Sequence, residues 1–143
     1  MNTPPLNEVL SQINNIIEEY FDIRSDDSKI FQMHTLAEDL ARYNLFLSYH
    51  YRNQENNYAL AKVSYYDNFN SRKRELMNMP SFEGKKMSAA YATMVAEEQF
   101  FNYKKDYVLA EAEKEGIKSI SFQIKENLEG IRQRIASIKN NNV

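Results

Sequence analysis

The stretch IKSISFQIKENLEGIRQRIASIK, residues 117–139, decides how the chain folds. Ile117, Ile120, Ile124, Leu128, Ile131, Ile135 and Ile138 recur at three- and four-residue spacing, with Asn127 the alternative to Leu128 in the register. Most of the positions between them are charged or polar. Such spacing puts the apolar side chains on one stripe of an α-helix, and a stripe kept over three heptads predicts coiled-coil-like packing. Ile at successive core positions of a heptad favours more than two strands. The expectation is therefore a homo-oligomer joined through this stripe. The competing expectation is an intramolecular three-helix bundle.

Working back from this stretch, the helix is expected to begin near residue 85, with Met87, Tyr91, Met94, Phe101, Val108 and Ala112 marking its first half. Gly116 and Gly130 each weaken it by roughly 1 kcal/mol relative to Ala, and Gly116 is the expected site of any bend. Pro80, within the segment 78–84, breaks the pattern and predicts a chain reversal. Before it, Met33, Leu36, Leu40, Tyr43 and Leu47 predict a long helix over about 29–77. Ser25-Asp26-Asp27-Ser28 supplies the caps for its start. Val9, Ile13, Ile16 and Tyr20 predict a first helix over about 5–21. The expected fold is all-α and a single domain over 1–143. It is a long antiparallel helical hairpin plus a short N-terminal helix.

Composition agrees. The chain has 143 residues, 43% hydrophobic and 27% charged, with three Gly, three Pro and no Cys. A fold of many short strands needs more turn residues than this. Without Cys there is no disulfide and no thiolate metal site. No run of about 18 apolar residues offers a membrane span, and the first residues lack the basic and apolar blocks of a signal peptide, so a cytoplasmic location is expected.

Catalytic patterns are absent. His34 and His50 have no Glu-x-x-His partner, no Gly-x-Ser-x-Gly turn occurs, and the glycines are isolated rather than clustered for phosphate. Glu97-Glu98 and the alternating Glu111, Glu113 and Glu115 diverge around a helix and read as solvated faces. The expectation is a protein that is not an enzyme, with no metal and no cofactor.

The net charge is −2, but it is uneven. Residues 62–86 hold six bases (Lys62, Arg72, Lys73, Arg74, Lys85, Lys86) against three acids (Asp67, Glu75, Glu83), a local charge of +3. Lys62, Tyr65, Tyr66, Phe69, Arg72 and Lys73 fall at three- and four-residue spacing on one side of a helix. Lys and Arg neutralise phosphates, and unpaired bases stack on rings at roughly 1–3 kcal/mol each. The candidate nucleic-acid-binding set is Lys62, Tyr65, Tyr66, Arg72, Lys73, Arg74, Lys85 and Lys86. The opposing reading is that the aromatic stripe is core with bases at its edges.

Three features in order resemble the UvsY family of recombination mediators from T-even-like bacteriophages. Lys62-Val63-Ser64-Tyr65-Tyr66 is similar to a basic–apolar–x–Tyr–Tyr step closing a long helix. Met87 and Tyr91 ahead of Ala96-Glu97 look like a Met…Tyr…Ala-acid stretch. Ile131 through Lys139 fits Ile-x-x-Arg-x-x-x-Ile-Lys. The family usually has Gly just after the Tyr pair, where this chain has Asp67-Asn68-Phe69, and residues 1–22 show no match. The resemblance implies a ring-like homo-oligomer that binds single-stranded DNA. It implies help in loading a RecA-like recombinase onto strands covered by a single-strand-binding protein, in the host cytoplasm. Lys62 is the carried-over basic position, and Arg134 and Lys139 match the C-terminal motif. The rival function is a structural or scaffolding coiled-coil adaptor of phage type without nucleic-acid binding.

Overall fold

The computed structural model describes residues 2–79 and 86–141. Every element among them is helical: α1 (Leu6–Ile23), a single 3₁₀ turn (Asp27–Lys29), α2 (Ile30–Asn78), α3 (Ala89–Gln99) and α4 (Phe101–Asn141). The expected reversal at Pro80, together with Phe82, Gly84 and Lys85, lies outside the described residues.

Local chemistry sets the starts. Asp26 accepts hydrogen bonds from the Ser28 amide at 3.0 Å and the Ser28 hydroxyl at 2.6 Å, which organises the turn before α2. Ser88 caps α3 by accepting from the Tyr91 amide at 3.2 Å. The one long helix expected over 85–139 is instead two. The break falls at Phe100, whose φ of −107° and ψ of 20° leave the helical region, and Gly116 sits inside unbroken α4. No Gly or Pro marks this break, and the local sequence offers no physical account of it.

Two compact units result, one of residues 1–52 with 115–143 and one of residues 53–114. Unit 1 is a three-helix core. Val9, Ile13, Ile16 and Tyr20 of α1 pack with Met33, Leu36, Leu40 and Leu47 of α2 and with the isoleucine stripe of α4. Ile124, Ile131 and Ile138 are at most 1% exposed, and Ile117, Leu128 and Ile135 are also buried. Ile120 packs against the same core and is partly buried. The stripe assigned to self-association is thus covered within one chain. A heptad of isoleucines demands a dry partner surface, and α1 and α2 supply it.

Arg134 secures the link between α1 and α2. Its Nε donates to the Arg24 carbonyl at 2.8 Å, at the C-terminal end of α1, and its guanidinium pairs with Asp27. A cation there satisfies an orphan carbonyl and favours the negative helix end. The two histidines have ordinary roles: His50 Nε2 donates to the Pro4 carbonyl at 2.7 Å, and His34 is half-buried on α2.

Unit 2 is built differently. Among its described residues only Tyr65, Leu76, Ala92 and Ala96 are buried. Leu60, Val63, Phe101, Val108 and Leu109 are each about half exposed or more.

Candidate nucleic-acid interface

The aromatic stripe of α2 meets α4 in unit 2. Tyr58, Lys62, Tyr65, Tyr66 and Phe69 follow helical spacing, and α4 presents Tyr107 and Lys114, seven residues apart on one face. Tyr65 is the centre. Its ring lies 5.3 Å from Tyr107, 5.1 Å from Tyr66 and 5.7 Å from Phe69, the last stacked at 27°. At 3% exposure it offers no face to a ligand. The reading of the stripe as core therefore describes Tyr65. Tyr66 is 42% exposed and lies 6.1 Å from Tyr107. Adjacent helical residues point about 100° apart, so a Tyr–Tyr pair at a helix–helix seam splits into one core ring and one rim ring.

Two ammonium groups reach the rim. Lys62 Nζ lies 5.5 Å from the Tyr58 ring centroid, and Lys114 Nζ lies 4.4 Å from it. Both are within cation–π range. A hydrogen bond to Tyr58, reinforced by the charges of Tyr58, Tyr66 and Glu111, pushes the Lys62 ammonium above its ordinary range, so Lys62 is firmly charged near neutrality. The hydroxyl contact with Tyr66, then burial and the neighbouring phenols, push Tyr107 up to about 12. Burial, followed by the charges of Glu97 and Tyr66, also raises Tyr65. Tyr65 and Tyr107 therefore hold their protons near neutrality and add no negative charge beside the two lysines.

The other predicted residues are placed less uniformly. Arg72 is turned into its own unit: Nε donates to Gln99 Oε1 at 2.8 Å, and Nη1 pairs with Glu75 at 2.9 Å. Lys73 is half-buried, while Arg74 and Lys86 are exposed. Arg72, Lys73 and Arg74 are consecutive on a helix and so face three directions. The structure brings Lys62 and Tyr66 together with Tyr58, Tyr107 and Lys114, which the sequence reading did not single out. Their signal was present: Tyr58 precedes Tyr65 by one heptad, and Phe100, Tyr107 and Lys114 repeat at seven.

The arrangement suits phosphate neutralisation by Lys62 and Lys114 beside the partly exposed Tyr66 ring. Among the described residues no group of three His, Asp or Glu side chains could hold a metal ion, and no helix is long and apolar enough to cross a membrane. No protein-family model, curated protein or solved structure matches the chain.

Proposed function

We propose that this chain is a non-enzymatic DNA-recombination accessory that binds single-stranded DNA through the lysine and tyrosine rim of unit 2. On this reading it acts as a homo-oligomer and helps load a RecA-like recombinase onto strands held by a single-strand-binding protein. The observation that carries the reading is the gathering of Lys62 and Lys114 around Tyr58, with Tyr66 half exposed beside them. Cations next to an accessible ring are what an unpaired strand requires, and the resemblance of Lys62–Tyr66 to the basic–apolar–x–Tyr–Tyr step points the same way.

The test is fluorescence anisotropy with single- and double-stranded oligonucleotides at two salt concentrations. Lys62→Glu combined with Lys114→Glu should weaken single-strand binding about tenfold or more and flatten its salt dependence, because two phosphate contacts are lost. Tyr66→Ala should weaken binding with the salt slope preserved, since stacking releases no counterions. Equal affinity of the wild type for duplex and single strand, or unchanged binding by the double-lysine variant, would remove this face from the function.

A further inference from the structure

Unit 1 has a face that its own helices leave open. α1 covers one side of the α2–α4 pair: Ile13 and Ile17 lie along Ile120 and Asn127, and Gln32 donates to Glu19 at 2.7 Å. On the other side two depressions of about 470 and 300 Å³ lie between α2 and α4. They follow one another along the α2–α4 seam and together mark a shallow groove there. His34 and Ala41 line the first and Ser48 the second, each seven residues beyond the last on α2.

On α4 the same repeat is cationic. Lys118 and Lys125 line one depression, Arg132 and Lys139 the other, so four bases at exact heptad spacing form a line along one helix. They span 21 residues of helix, about 31 Å. Among the described residues none of the four forms an ion pair. Glu38 and His34 face the line across one end of the groove. The floor of the first depression is small and apolar, with Ala37 and Ala41 from α2 and Ala136 beside Ile135 from α4, while Leu47 and Tyr51 of α2 line the second. Phe122 stands on the wall, 63% exposed.

We propose that this groove docks an α-helix of a partner protein, about six turns long, whose apolar stripe carries a flank of carboxylates. Alanines on the floor let a helix backbone approach closely, as in packed bundles. The unpaired bases along one wall select acidic residues at the matching heptad position. A nucleic-acid strand would follow the cationic wall and leave the alanine floor uncovered. The exposed face of α1 from a second copy is acidic enough, but it presents Glu8, Ser11, Asn15, Glu18 and Asp22 and no apolar stripe. The proposal uses residues of unit 1 alone and stands independently of the nucleic-acid reading.

The experiment uses the full chain and two synthetic helical peptides of about 21 residues. Both carry Leu at the core heptad positions; one has Glu on the flanks and the other Lys. Isothermal titration should show binding of the Glu peptide, weaker at about 300 mM than at about 50 mM salt, and none of the Lys peptide. Lys125→Glu with Arg132→Glu should weaken the Glu peptide by about tenfold or more. Ala136→Trp, which fills the groove and leaves the charges in place, should weaken it too. All three positions are exposed, and circular dichroism verifies that the variants remain helical. If Ala136→Trp does not fold, the charge variant alone decides. The proposal is overturned if both peptides bind alike or if the charge variant binds as the wild type. It is also overturned if an oligonucleotide displaces the peptide and Ala136→Trp leaves that oligonucleotide's binding unchanged, or if sedimentation shows a second copy occupying the groove.

Discussion

Unit 1 and unit 2 use the same two long helices for opposite purposes. Among its described residues unit 1 buries sixteen apolar side chains, mostly Ile and Leu, against a third helix. Unit 2 buries four among its described residues, two of them alanines, and puts tyrosines and lysines where unit 1 has aliphatic core. Aliphatic side chains lose their value unless dried completely, while a tyrosine or lysine can be half-buried and keep its polar end wet. The contrast shows where the stability of the chain is concentrated, and which segment keeps chemistry at its surface.

Truncating one side chain in each unit should separate the two most strongly. Ile131 is 0% exposed in the centre of the unit 1 core, so Ile131→Ala should lower stability by about 2–5 kcal/mol in urea denaturation. Leu60 in unit 2 is 71% exposed, and Leu60→Ala should change stability by no more than about 0.5 kcal/mol. Equal losses would mean that unit 2 has a covered face in solution, which would revive self-association there. Ile131→Asp goes further: it should abolish helical signal rather than yield folded monomers, because the residue serves the core of its own chain.

A smaller effect probes the tyrosine cluster itself. Tyr107 is raised to about 12 by its contact with Tyr66, by burial and by the surrounding phenols. A group whose proton is held more tightly when folded stabilises the fold fully below its unfolded value of about 10. That contribution is lost as pH rises through about 12. Absorbance titration should therefore show Tyr107 ionising late, with its contribution to unit 2 lost over the range from about 10 to about 12. Tyr107→Phe should delete the late phase, and a single unperturbed phenol transition in the wild type would show that the cluster does not exist in solution.

Much of unit 1 was legible. The starts and ends of α1 and α2 lie within two residues of those read from spacing and caps, and every isoleucine of the 117–138 stripe is buried or packed on the core. What spacing could not specify is the covering surface. A heptad states that a face must be dry, but not whether a neighbouring helix or a second chain dries it. Unit 2 was less legible for three reasons. The break at Phe100 has no Gly or Pro to announce it. Tyr65 and Tyr66 look equivalent in sequence, yet a turn of about 100° makes one core and one rim. Tyr107 and Lys114 belong to a helix with little local excess of base, so charge distribution along the sequence carries no signal for them.

The smallest expected effect asks whether unit 1 is limited by its core or by its backbone. Gly116 and Gly130 lie within α4, and a methyl group built on either meets nothing within 4 Å. Both are therefore places where alanine adds helix propensity without strain. Gly130→Ala should raise stability by roughly 1 kcal/mol at most, through a smaller entropy loss on folding. Gly116→Ala should behave alike, since α4 is continuous there and no bend depends on glycine. If Gly116→Ala destabilises while Gly130→Ala stabilises, α4 bends at Gly116 in solution. The boundary between the aliphatic and aromatic stretches of that helix would then be a built hinge rather than a change in side-chain chemistry alone.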